Sequence, residues 1–421
     1  MRSQAEPGNE WAGQTSNEGN HNVSDLIAEK LDQVQGILNE LDLDAWMVFV
    51  RESSHGGDPA LSYIYDGSFT WQSAMIVTRS GDRIAVVGKF DDGAVRAAGH
   101  WTEVIPYVQS IHDPLVETIR RLDPRRLAID FSVDDHAADG LTHGMYLLLL
   151  KYFSGTPYAD RFVSAADVVG ALRGRKSPNE LARIEKAIAT AQTIFDEVGQ
   201  FARPGKTERE VARFMQDTAL RRGVGLAWAP PCPIVNTGPH SMIGHGVPSD
   251  IVIEPGHILH IDFGVQQEGY CSDLQRCWYV PRPGEHSPPE PVARAFEAVV
   301  NGISVAAELL KPGVAGWEVD QGARAVITEA GYSEYGHALG HHVGRTAHDG
   351  GGLLGPRWER YGKTPFRQAE PGNVFTLEPS IEDAGGCGCL GLEEMVVVTE
   401  TGCQWLSERQ MTLPCLVAGG N

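Results

Sequence analysis

The sequence predicts an α+β fold in two units, a smaller α/β one followed by a larger one. Three observations carry this. Short apolar runs alternate with helical segments from about residue 22 to 165. Two long helical patterns follow at about 179–201 and 207–222. Beyond them, strand hairpins alternate with helical stretches near 289–310 and 316–330. At 421 residues the chain has ample material for more than one core.

Residues 1–21 are polar, lack the apolar core of a signal peptide and read as a disordered arm. Ser24 is the expected cap of an amphipathic helix running to about Leu41, with Ile27, Leu31, Val34 and Leu38 on one stripe. Strands are expected at Trp46–Val50, Ala74–Thr78, Ile84–Val87 and Leu127–Ile129, with a helix around Asp113–Leu122, giving a mixed sheet over 22–165. Arg173–Ser177 and the Pro178-Asn179-Glu180 helix start mark the passage to the second unit, 170–415. The helix from Thr207 to Arg222 has an acidic first turn and a basic end, matching the helix dipole.

Thirty-five lysines and arginines stand against 55 acidic residues, a net charge of −20, and no basic run breaks the balance. That disfavours nucleic-acid and anionic-membrane partners. No apolar stretch reaches spanning length, since Met145–Leu150 is stopped by Lys151, and the cytoplasm is the default location. Seven cysteines form no disulfide framework. Cys387-Gly-Cys389 could be imagined as a soft-metal site, but small buried or loop thiols in a reducing compartment are the favoured reading.

The chemistry lies in five residues of the second unit: Asp262, Asp273, His341, Glu378 and Glu393. Four carboxylates and one imidazole carry too much like charge to converge unless cations neutralise them. An oxygen-dominated set with one nitrogen suits hard or borderline divalent metals. Asp262 ends one strand-like run and Asp273 follows the next turn, so a hairpin would let the two aspartates face one another. Glu378 precedes Pro379, which biases it toward extended geometry. Glu393 and Glu394, adjacent on an expected strand, must point to opposite faces, so one of them at most is a ligand, and Glu393 is chosen. Each of these residues alone would be an ordinary turn, capping or surface group. The set of five reverses that judgement.

With these motifs quoted, the chain resembles the pita-bread metallopeptidase family, which contains Xaa-Pro aminopeptidases, Xaa-Pro dipeptidases (prolidases), methionine aminopeptidases and creatinases. The likeness covers about residues 170–400, and the first unit resembles the creatinase-type N-terminal domain. The resemblance implies a pita-bread catalytic domain and two divalent ions per subunit, manganese being the first expectation and cobalt, zinc or iron the alternatives. Asp262 would serve one ion, His341 and Glu378 the other, and Asp273 and Glu393 both, with a metal-bridging hydroxide as nucleophile. It also implies that Glu378 moves the proton, while His245 and His348 stabilise the tetrahedral intermediate, Asp349 being placed to orient His348. The expected substrate is a short peptide cleaved at Xaa-Pro, with Arg357 as a candidate for a dipeptide's carboxylate. A homodimer or larger homo-oligomer is expected. One departure stands out: the family commonly carries an arginine two positions before the last ligand, where this chain has Gly391, leaving Arg276 or Arg345 to compensate. The rival readings are a non-peptidase hydrolase or lyase on the same metal scaffold, and a catalytically silent binding protein of the same fold.

Overall fold

The computed structural model describes residues 17–416 apart from position 245, and the side chains of 17–24 and of position 55 are likewise outside the description. The first helix spans Asn17–Glu40, beginning seven residues ahead of the expected Ser24 cap. Residues 1–16 of the expected arm lie outside the described residues. The stripe Ile27, Leu31, Val34 and Leu38 is buried as expected.

A six-stranded mixed sheet organises the N-terminal unit, in the order Glu103–Tyr107, Arg83–Gly88, Ser73–Thr78, Ala45–Val50, Leu127–Ile129, Phe162–Ser164. Its central strand, Ala-Trp-Met-Val-Phe-Val, is buried at every position because both faces are covered. Trp46, Val48 and Val50 enter one core with the first helix, and Ala45, Met47 and Phe49 enter another with the helices His112–Leu122 and His143–Tyr152. A strand covered on two sides reads as a continuous apolar run rather than an alternation. The helix Ala166–Gly174 sends Val168, Val169 and Leu172 into the first of these cores.

The next helix, Pro178–Phe201, opens with a full capping box: the Ser177 side chain accepts from the Glu180 backbone, and Glu180 accepts from Ser177. Thr207 and Glu210 repeat the device for Glu208–Arg221. Both helices pack on a three-stranded antiparallel sheet of Ile234–Thr237, Ile258–Phe263 and Leu274–Tyr279. The helices Glu290–Leu309 and Gly316–Glu329 cover a second such sheet, Val374–Leu377, Glu394–Val398 and Cys403–Trp405. The two half-sheets meet at the isolated pairing of Gln275 with Glu393. All seven cysteines are free.

One expected register is corrected. Val265–Gln267 and Tyr270–Cys271 form a separate small ladder around the turn, and the main ladder resumes with Phe263 opposite Leu274. The residue across from Asp262 is therefore Gln275, not Asp273. The cause is local: Ser272 turns inward, its backbone N–H donating to Val265 O at 3.0 Å and its hydroxyl accepting from the Val265 N–H. That kink sets Asp273 outside the strand.

Candidate metal centre

Strand ends from both half-sheets converge at the seam. The register that pairs Leu377 with Glu394 makes Glu378 and Glu393 the next opposed pair beyond the ladder. Glu378 is anchored by its N–H donating to Leu339 O at 2.7 Å. His341 closes the two-residue strand Gly340–His341, its N–H donating to Thr376 Oγ1 at 3.1 Å. That approach needs glycine at 340, since a Cβ there would collide with the Thr376 carbonyl.

Asp273, His341 and Glu393 each offer a donor atom within 4.8 Å of the others, a group able to hold a metal ion. Glu378 joins through His341, with Oε1 3.3 Å from His341 Nε2, and Asp273 Oδ2 lies 3.8 Å from the same nitrogen. Asp262 lines the same cavity. Its buried Oδ1, and Oε1 of Glu393, have no hydrogen-bond partner in the protein. Buried carboxylate oxygens without donors are costly unless a cation or a proton serves them, so this donor set fits divalent ions.

The electrostatics follow from crowding. Burial, then the Asp273 and Glu378 charges, push the Asp262 carboxyl well above the ordinary range. Burial, with Asp273, Glu378 and Asp262, does the same to Glu393. Asp273 is pushed up to about 7, mainly by burial, with His341 opposing. His341 rises to about 9: burial would lower it, but the hydrogen bond and charge of Glu378 outweigh that. Glu378 falls below its ordinary value despite burial, because His341 donates to it.

Around these groups lies a cavity of about 880 Å³, lined among others by Ile243, His337, Leu353, Arg360 and Ile381, and by Asp134–His136 from the N-terminal unit. The His348 ring packs edge-on against His341 with centroids 4.2 Å apart. His337 is tied down by Ser380 Oγ at 2.8 Å. His245 lies outside the described residues. His342 packs edge-on against Phe375, and burial pushes it well below its ordinary pKa, so it is neutral.

Asp349 is fully buried against Arg173 at 2.9 Å, Lys176 at 3.2 Å and the Tyr63 hydroxyl at 3.2 Å. Arg357 is not among the cavity's lining residues and stacks on Trp317, 4.4 Å from its centroid, while Arg360 lines the cavity. Of the two arginines offered for the missing one, Arg276 reaches the centre, donating to Glu393 O at 2.9 Å and to Glu394 Oε2 at 3.1 Å. Arg345 instead donates to Ser62 O and stacks on Tyr63. Glu394 thus faces away from the centre, buried with Arg276 and Ser407. The sequence reading did not single out Gln275, whose one available signal was its position just after Asp273.

Comparison with known proteins agrees with this geometry. Residues 182–400 match the model of metallopeptidase family M24. An uncharacterized peptidase of Bacillus subtilis is 27% identical over 379 residues, 89% of this chain and 96% of that protein. A Xaa-Pro dipeptidase of Pyrococcus horikoshii is 34% identical over 253 residues, 60% of this chain and 68% of that protein. Among solved structures, an X-Pro aminopeptidase from Thermotoga maritima superposes with a TM-score of 0.69 at 26% identity, covering 91% of this chain and 99% of that one. A prolidase from Pyrococcus horikoshii gives 0.65 at 26%, over 91% and 99%. The chain belongs to metallopeptidase family M24, with the pita-bread α+β fold and an N-terminal domain ahead of it. Among the described residues no helix is long and apolar enough to cross a membrane.

Proposed function

We propose that this chain is a dinuclear metallopeptidase that hydrolyses Xaa-Pro bonds in short peptides. The observation that carries the reading is the convergence of Asp273, His341 and Glu393 within 4.8 Å, beside carboxylate oxygens of Asp262 and Glu393 that no protein donor serves. In this reading Asp262 would serve one ion, His341 with Glu378 the other, and Asp273 and Glu393 would serve both. A pair of divalent ions, when bound, supplies Lewis acidity toward the scissile carbonyl and water acidified toward neutral pH.

The chain's own residues do the remainder. Glu378, extended by Pro379 and fixed at its backbone, carries the proton at a carboxylate oxygen toward the leaving nitrogen. His348, beside His341, faces the oxygen that gains charge, and the resemblance gives His245 a share in stabilising it. Ile243, Leu353 and Ile381 give the cavity apolar wall for a proline ring. Arg360, held by Gly336 O at 2.7 Å, is the cation available to a peptide's C-terminal carboxylate, which favours dipeptides. The names of two relatives, a Xaa-Pro dipeptidase and an X-Pro aminopeptidase, support the substrate class. Manganese, cytoplasmic placement and a homo-oligomer complete the reading.

The test is turnover of Xaa-Pro dipeptides and longer Xaa-Pro-Yaa peptides by metal-stripped protein reloaded with Mn²⁺, Co²⁺, Zn²⁺ or Fe²⁺. Hydrolysis of the dipeptides is expected. Protein that binds metal and cleaves neither class would turn the reading to a non-peptidase hydrolase or lyase.

A further inference from the structure

Gln275 touches two residues of the proposed ligand set at once. Its backbone carbonyl accepts from the Glu393 N–H at 3.3 Å, and its side-chain Nε2 donates to Glu378 Oε2 at 3.1 Å. One residue therefore holds Glu378 by its side chain and Glu393 by its backbone.

The amide is itself held. A carboxylate only accepts, so the NH₂ end must face Glu378 and the Oε1 end must face His260 Nε2, 2.8 Å away. His260 Nε2–H is thereby the donor to Gln275 Oε1. Behind it, His260 Nδ1 lies 3.3 Å from Asn236 Oδ1, and Asn236 Nδ2 donates to Met242 O at 2.6 Å and Ser241 Oγ at 3.1 Å. Gln275 and His260 are both buried. Gly391 makes the room: a Cβ there would sit 2.6 Å from Gln275 Oε1 and 3.0 Å from His260 Nε2.

We propose that Gln275, oriented by His260 and given space by Gly391, is the positioning residue that holds Glu378 and Glu393 in ligand geometry. The glycine at 391 and the glutamine at 275 are then one device. The space a side chain at 391 would use is filled by a neutral amide that aims hydrogen bonds without adding charge. Hydrogen bonds that orient a ligand carboxylate typically change metal affinity by about 10–100-fold when removed. The inference rests on the reading of Glu378 and Glu393 as metal ligands.

The experiment is calorimetric titration of Mn²⁺ alone into the metal-stripped full chain. Wild type, Gln275→Ala, Gln275→Met, His260→Ala, Gly391→Ala and the double variants of Gln275→Ala with each of the last two are compared. Gln275→Ala and Gln275→Met are expected to weaken Mn²⁺ binding about 10–100-fold, with His260→Ala between them and wild type. Because His260 acts through Gln275, adding His260→Ala to Gln275→Ala should weaken binding no further. Gly391→Ala should weaken binding in wild type by crowding the amide, and have no effect once Gln275 is truncated. A general loss of packing would give additive losses instead. Unchanged affinity in both Gln275 variants, or additivity in both pairs, overturns the inference alone. Wild type that takes up none of Mn²⁺, Co²⁺, Zn²⁺ or Fe²⁺ overturns the dinuclear-metal reading, and this inference with it.

Discussion

Replacing Asp349 with alanine should destabilise the whole chain without touching a proposed ligand. Asp349 is fully buried and accepts from Arg173 at 2.9 Å, from Lys176 at 3.2 Å and from Tyr63 at 3.2 Å. Arg173 and Lys176 are themselves buried, so the substitution strands two cations in the interior. Removing one partner of a buried ion pair costs about 3–5 kcal/mol, because the remaining charge is left uncompensated. Asp349→Asn keeps the shape and part of the hydrogen bonding, and its loss should be about half as large. Burial would raise the Asp349 pKa, but Arg173 and Lys176 outweigh it and hold the carboxyl below its ordinary value. A carboxyl lowered in the folded state contributes stability above its unfolded pKa of about 4, and that contribution is lost as pH falls through the folded value. Urea unfolding at pH 7 and pH 5 should therefore show the full loss for Asp349→Ala, with the difference from wild type shrinking only below about pH 4. The combined variant Arg173→Met, Lys176→Met, Asp349→Leu should lie much nearer wild type than Asp349→Ala does, since no charge is left stranded. A loss under about 1 kcal/mol for Asp349→Ala would refute the reasoning.

Metal binding should release protons. With Asp273 pushed up to about 7 and His341 to about 9, the metal-free centre holds protons at pH 6 that ions must displace, so Mn²⁺ affinity should rise with pH. Calorimetry in buffers of different ionisation enthalpy should find more than one proton released per chain at pH 6, and none would contradict it. The sign for the metal-free fold is opposite. Asp273 and His341 both bind protons more tightly folded than unfolded, so their contribution to stability falls as pH rises from about 4 to about 9. Melting of metal-free and metal-loaded protein should accordingly diverge as pH increases. Glu378→Gln should cut Xaa-Pro hydrolysis by at least about 10²-fold in a chain that still folds, read as single-turnover rate at saturating metal. Arg360→Ala should raise KM for dipeptides about tenfold and leave longer peptides nearly unaffected, since only the dipeptide's carboxylate reaches that side chain.

Much of this molecule could be read from its residues. The Pro178-Asn179-Glu180 start after Ser177, and the acidic first turn and basic end of 207–222, announced both helices, and the apolar run at 46–50 announced a strand. The edge strands Glu103–Tyr107 and Phe162–Ser164 escaped notice because neither has the length or apolar density of the inner strands, and the first contains Pro106. Asp273, His341 and Glu393 converge as their chemistry demands, since acids in such number need a common counter-charge. The cross-strand partner of Asp262 was not legible. It depends on a kink at Ser272 that shifts register and that no periodicity records. Lys30 shows the same limit: it sits on an amphipathic helix yet is buried, with Nζ 2.5 Å from Glu180, a partner 150 positions away.

The cluster of Lys30, Tyr63, Arg173, Lys176, Glu180 and Asp349 joins groups from both halves of the chain in one dry knot. Opening it would expose or strand several charges at once, so rocking of the N-terminal half against the rest is strongly resisted. Asp134–His136, which form one wall of the substrate cavity, ride on that half. On the proposed reading, the width available to a peptide is then set when the chain folds, and the cleft is expected to select substrates by size rather than to adjust to them.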